Sequence, residues 1–224
     1  MLVSCWSAKG GSGATVVAAS LATVMARRNP HGALLVDAAG DLPVALGLPS
    51  IEGPGLTDWL AAGPAVPADS LARLEVPVHP GLRLLPRGGR RLDHPDRAEV
   101  LAALLAGDPR SVVVDVGLVD PHRSEGPAAE VAAVLARAGT ESLLVTRPCY
   151  LAARRAYELP LRPSGVVLVA ERHRSLGRWE LEDLLGVPVV AEVPFDPDLS
   201  RAADSGRLGR SVPRTIERAL RRVA

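Results

Sequence analysis

At 224 residues the chain is long enough for one α/β domain with a substantial core. A hydrophobic content of 47% excludes a disordered chain, and a net charge of +1 gives no nucleic-acid footprint. No apolar run approaches the roughly 20 residues of a membrane span, and no signal-peptide pattern opens the chain, so the expected setting is cytoplasmic.

Short apolar strands alternate with helical patterns, which predicts βαβ units and a mostly parallel central sheet. Strands are expected at Leu2–Trp6, Ala33–Asp37, Leu82–Pro86, Ser111–Val116, Ser142–Thr146, Val166–Ala170 and Val187–Val193. Helices are expected at Ala14–Arg28, Leu56–Ala62, Asp96–Leu105, Ala128–Ala138, Leu151–Leu159, Leu176–Leu185, Pro197–Ser205 and Pro213–Val223. Strands this uniformly apolar are buried on both faces, so helices must cover each side of the sheet. The segment Gly63–Pro80 holds four prolines and reads as a surface crossing with one short helix. No repeat or linker divides the chain, so residues 1–224 read as one domain. Cys5 and Cys149 read as buried free thiols. The five histidines are scattered singly, without metal-ligand spacing, and read as surface loop residues.

Of the 26 basic residues only Lys9 is a lysine, and it opens the run Lys9-Gly10-Gly11-Ser12-Gly13-Ala14-Thr15 between the first strand and the first helix. A glycine-rich turn there aims backbone N–H groups and a helix N-terminus at one point, which makes an anion site, above all a phosphate site. The standard phosphate loop is Gly-x4-Gly-Lys-[Ser/Thr]. Aligned on Gly13 and Thr15, this chain has Ala14 in place of the lysine and Ala8 in place of the first glycine. Val112-Val113-Val114-Asp115 fits a second nucleotide element, an apolar strand ending in an aspartate that can hold Mg2+ through water. The second strand ends in Asp37-Ala38-Ala39-Gly40-Asp41, where Asp41 reads as the N-cap of a helix starting at Leu42.

These segments resemble the deviant phosphate loop of the ParA/MinD ATPases, Lys-Gly-Gly-x-Gly-Lys-[Ser/Thr]. The resemblance implies a three-layer P-loop NTPase fold of the ParA/MinD/NifH kind. It also implies a site for ATP and Mg2+ that includes Gly10, Gly11, Ser12, Gly13, Ala14 and Thr15. Lys9 matches the lysine that in this family reaches across a dimer to the partner's nucleotide. Thr15, Asp37 and Asp115 match the residues around Mg2+. The family's water-positioning carboxylate falls on Ala39, and Asp41 is the candidate to replace it. Val193-Pro194-Phe195-Asp196 resembles the late turn whose backbone borders adenine, which places Pro194 at the base. The Lys-Gly-Gly-x-Gly-Ala-Thr variant and the Gly40-Asp41 pair resemble the TadZ/CpaE branch, which localises pilus machinery.

With Ala14 and Ala39 in place of lysine and aspartate, turnover is expected to be very slow. The implied molecule is a nucleotide-dependent homodimer working with protein partners of a pilus, secretion or division assembly. An active partition or division-site ATPase and a nucleotide-free scaffold are the alternatives. Ile216, Ala219, Leu220 and Val223 form an apolar stripe at i, i+3, i+4 and i+7, read as core-facing, with a peripheral membrane contact as the competing reading. Arg90-Arg91 and Arg154-Arg155 read as solvated surface, against a DNA-binding face.

Overall fold

The structure is a computed structural model that describes residues 1–63, 66–67, 69–120, 125–171, 173–208 and 212–224. Its first half runs β1 (Leu2–Ser7), α1 (Ala14–Ala26), β2 (Ala33–Asp37), α2 (Leu42–Leu46), α3 (Leu56–Ala61), α4 (Ser70–Arg73), β3 (Val76–His79), β4 (Leu82–Leu85) and α5 (Pro95–Ala106). The second half runs β5 (Ser111–Leu118), α6 (Pro127–Ala138), β6 (Glu141–Thr146), α7 (Tyr150–Glu158), β7 (Gly165–Ala170), α8 (Arg178–Leu185), β8 (Val189–Pro194), α9 (Pro197–Asp204) and α10 (Arg214–Leu220).

The eight strands form one sheet in the order β3-β4-β2-β5-β1-β6-β7-β8. All neighbours pair in parallel except β3, which runs antiparallel to β4. Side chains on the central strands alternate between two cores, as a period of two requires. Leu2, Trp6, Val112 and Val114 face a core closed by α3, α5, α6, α7 and α8. Val3, Cys5, Val113 and Val145 face one closed by α1, α2, α9 and α10. Each such buried side chain stabilises the fold by about 1.5–3 kcal/mol, which fixes the strand register firmly. Two polar side chains of the central strand are satisfied inside: Trp6 Nε1 donates to Ser142 Oγ at 3.0 Å, and Ser4 Oγ donates to the Leu135 carbonyl at 2.6 Å.

The proline-rich segment departs from expectation. It contains the short helix α4, but also β3, which was not anticipated. Pro77 lacks an N–H to donate, so a run containing it reads poorly as strand; at a sheet edge that donor is dispensable. His79 lies in this strand, half-buried, rather than in a loop. His31, His94 and His173 are exposed as expected, and His122 lies outside the described residues.

The C-terminal stripe is core-facing. Ile216, Leu220 and Val223 are buried with α1 residues in the second core. Arg28 Nη1 donates to the carbonyls of Arg221 and Ala224 at 2.9 and 2.8 Å, holding the end of that segment to α1. Arg90 pairs with Asp58 and Arg154 with Glu158 at the surface.

Candidate functional site

Because seven strands share one direction, the carboxyl ends of β1, β2, β5, β6, β7 and β8 lie along one edge of the sheet, where open α/β sheets bind ligands. The glycine loop leaves β1 at this edge and turns into α1. Gly11 and Gly13 have φ of 75° and 94°, in the left-handed region that a side chain disfavours. Ser12 Oγ donates to the Lys9 carbonyl at 2.6 Å and closes the turn. A Cβ built on Gly10 or Gly11 would meet nothing within 4 Å, so the loop's outer surface is an open concavity. The first amides of α1 have no intrahelical acceptors and face this end of the sheet.

Three carboxylates from two neighbouring strands gather beside the loop. Asp37 is buried at the end of β2, where Oδ1 accepts from Gly40 N at 2.5 Å and Oδ2 from Leu42 N at 3.3 Å. This overturns the expected role of Asp41. Asp41 does occupy the position before α2, but its side chain makes no capping bond. Asp37 reaches over the turn and caps the helix instead, which leaves the exposed Asp41 carboxylate in the cleft.

Asp115, at the end of β5, is fully buried. Its Oδ1 accepts from Gly117 N at 3.1 Å. Oδ2 has no partner of good hydrogen-bond geometry, and the Thr15 side chain and the Gly117 N–H favour the ionised form of the group. Burial above all pushes Asp115 up to about 7, with the Asp37 and Asp41 charges adding to the shift. Asp37 is pushed up to about 6, again mainly by burial. Buried carboxylates held this high, one with an oxygen that accepts no hydrogen bond, favour a cation nearby. Among the described residues no three acidic, histidine or cysteine side chains converge on a metal cage. A Mg2+ held chiefly by phosphate and water does not need one, so Thr15 and Asp115 fit such an ion. The Cys5 thiol, beneath Asp115, is driven up by burial and by that carboxylate and is inert.

A cleft of about 740 Å3 opens in front of the loop. Gly10, Gly11, Ser12, Ala14, Thr15 and Asp41 line its polar side, and Ala129, Ala132, Leu159 and Leu161 its apolar side. Lys9 does not line this cleft. It lines a separate cavity of about 250 Å3 with Arg147, Cys149 and Arg174, which shares only Gly10, Gly11 and Ser12 with the main cleft. Pro194 lies farther along, in a cavity of about 500 Å3 with Arg147, Ala170, Glu171 and Phe195. There the Arg147 guanidinium stacks over the Phe195 ring at 4.9 Å. Glu171, where the resembled family usually has asparagine, is tied to Arg147 and Arg174 at 3.3 and 2.6 Å.

Sequence reading missed Arg87, the one cation among the described residues that line the main cleft. Its Nη1 donates to the Ala39 carbonyl at 3.1 Å. The available signal was a second strand-to-glycine turn, Leu85-Pro86-Arg87-Gly88-Gly89, closing the neighbouring strand.

Solved structures share this fold. A ParA family ATPase from Chlorobium tepidum TLS superposes with a TM-score of 0.77 at 22% identity, over 98% of this chain and 96% of that one. The fold is that of the ParA and MinD ATPases. MinD from Pyrococcus horikoshii OT3, solved with Mg-ADP, gives a TM-score of 0.75 at 21% identity, over 99% of this chain and 93% of that one. MinD from Aquifex aeolicus, solved as a MinC:MinD complex, gives 0.75 at 21% identity, over 99% and 95%. No protein-family model matches the chain, and no curated protein does.

Proposed function

We propose that the protein binds a nucleoside triphosphate, ATP by resemblance, with Mg2+ at the glycine loop, and acts as a positioning or assembly switch with little or no turnover. The observation that carries this reading is the open glycine turn beside Thr15, with the buried Asp115 Oδ2 accepting no hydrogen bond. Gly10–Thr15 would receive the phosphates, while Thr15 and Asp115 would hold Mg2+, directly or through water. Asp37, with both oxygens engaged by the backbone, would bear on the ion through its charge. The chemistry Mg2+ would supply there is neutralisation of phosphate charge. Among the structural neighbours, the P. horikoshii MinD carries Mg-ADP, which supports the choice of ligand.

Slow turnover follows from the residues in place. Ala14 brings no cation to the phosphates, and Ala39 brings no carboxylate to orient water. Asp41, uncommitted in the cleft, is the remaining candidate for that task. Lys9, turned away from its own cleft, would act on the nucleotide of a second copy, which makes the loop face the dimer surface. A MinD that forms a complex with MinC supports a protein partner for such a switch. The loop variant and the Gly40-Asp41 pair favour a pilus or secretion assembly as that partner's setting.

Thermal shift and sedimentation with millimolar Mg-ATP test the reading. Expected are a raised melting temperature and a dimer that Lys9→Ala loses while still binding nucleotide. A wild-type protein indifferent to Mg-ATP in both measurements would make it a nucleotide-free scaffold. Ordinary steady-state hydrolysis would remove the low-turnover part.

A further inference from the structure

The cleft presents a phosphate cradle with no cation from its own loop and three acidic groups beside it. Arg87 lines this cleft from the turn that follows β4, and the backbone that carries it is firmly seated. The Arg87 carbonyl accepts from both Thr57 N at 2.8 Å and Thr57 Oγ1 at 2.9 Å. The Pro86 carbonyl accepts from Leu56 N at 2.8 Å. Gly55 packs so closely on this turn that a Cβ there would collide with Pro86 and Gly88. The start of α3 therefore fixes where the arginine side chain begins.

The guanidinium is only partly committed. Nη1 donates to the Ala39 carbonyl, and among the described residues its other donors make no hydrogen bond. It lies close over the next turn, since a Cβ on Gly40 would sit 3.3 Å from Arg87 Cδ. The alanine at position 39 matters here. Its methyl side chain brings no carboxylate to the segment whose carbonyl the guanidinium contacts. Arg87 is thus a half-buried, permanently charged fork whose remaining donors make no hydrogen bond among the described residues, with the Asp37 charge as an acidic neighbour. A planar guanidinium in a cleft lined by amide donors is suited to the oxygens of a phosphate.

We propose that Arg87 binds the terminal phosphate of a nucleoside triphosphate seated in the glycine loop, supplying from β4 the positive charge that Ala14 does not. The inference rests on the nucleotide reading given above. It adds that discrimination between triphosphate and diphosphate lies on Arg87.

Calorimetric titration of Mg-ATP and Mg-ADP into the wild type, Arg87→Ala, Arg87→Gln and Arg87→Lys tests it. Arg87→Ala is expected to weaken Mg-ATP by about 10- to 100-fold, the scale of one hydrogen-bonded charge, and Mg-ADP by less than about threefold. Arg87→Lys should recover part of the loss. Arg87→Gln retains a donor for the Ala39 carbonyl but no charge; its apo melting temperature should match the wild type while its ATP affinity falls. If Arg87→Ala does not fold, the glutamine variant carries the same comparison. Equal losses for both nucleotides, or no loss, would overturn the assignment. A wild type that binds neither nucleotide would overturn the nucleotide reading itself, whereas a wild type that binds both with Arg87→Ala unchanged would overturn this inference alone.

Discussion

Gly117 and Ala39 meet at the mouth of the cleft: a Cβ placed on Gly117 would stand 2.8 Å from the Cβ of Ala39. Gly117 lies at the end of β5 and Ala39 just after β2, so the carboxyl ends of those strands are locked by two small residues in contact. Gly117 also has a φ of 74° and donates its N–H to Asp115. One close approach thus sets the orientation of the buried carboxylate.

A side chain at this point should be costly. Gly117→Val is expected to destabilise the protein by about 2–4 kcal/mol, combining left-handed strain with the clash against Ala39. Urea denaturation at neutral pH measures it. Gly117→Val in an Ala39→Gly background should recover the steric part and leave the backbone part.

The raised carboxyls make stability depend on pH in a definite direction. Asp37 and Asp115 titrate near 6 and 7 in the folded protein, above the ordinary aspartate value of 3.8. Each therefore binds its proton more tightly when folded. Their stabilising contribution is complete below about pH 4 and is lost as pH rises through 6 and 7. Without nucleotide and Mg2+, unfolding free energy should fall by about 2–4 kcal/mol between pH 5 and 8. Asp115→Asn should flatten most of this slope and raise stability at pH 8, while abolishing the response to Mg2+. Melting curves across that range check the sign, and a curve that rises with pH would contradict it.

Restoring a lysine at the start of α1 should shift the charge contact from one wall of the cleft to the other. Ala14→Lys is expected to tighten Mg-ATP by about tenfold or more, the scale of one charged contact. Combining it with Arg87→Ala should cost less affinity than Arg87→Ala costs alone, because both cations would serve the same phosphate. A double-mutant cycle by titration calorimetry reads the coupling.

Glu75 supports the far side of the sheet through ions rather than packing. Its carboxylate is buried and bound by Arg110 at 2.7 and 2.8 Å and by Arg83 at 2.8 Å. The two acidic partners Glu75 and Asp108 drive the Arg110 guanidinium further up, so it stays charged at every accessible pH. Removing the buried acid leaves two arginines close together, one still paired with Asp108 and the other partly solvated, so Glu75→Gln should destabilise by about 1–3 kcal/mol. Denaturation in low and high salt separates this from the exposed Arg73–Asp69 pair, whose loss should be close to neutral.

Much of this was legible in the chain because its signals are local. Apolar strands, glycine turns and helical periodicity place β1, β2, β4 to β8 and the loop from neighbouring residues alone. The failures are those of distance along the chain. Asp37 caps α2 from five residues away, whereas sequence habit assigns a cap to the residue next to the helix. Arg87 belongs to the cleft only because β4 pairs with β2, and as one arginine among many it carries no mark. Pro77 hides β3 because a proline penalises a strand wherever its N–H would be needed, and only the sheet order reveals an edge.

That proline bears on how the protein can assemble. An antiparallel final strand interrupted by an imino residue offers a poor template for a second molecule to extend the ladder. Growth sideways into β-stacked polymers is thereby discouraged at this margin of the sheet.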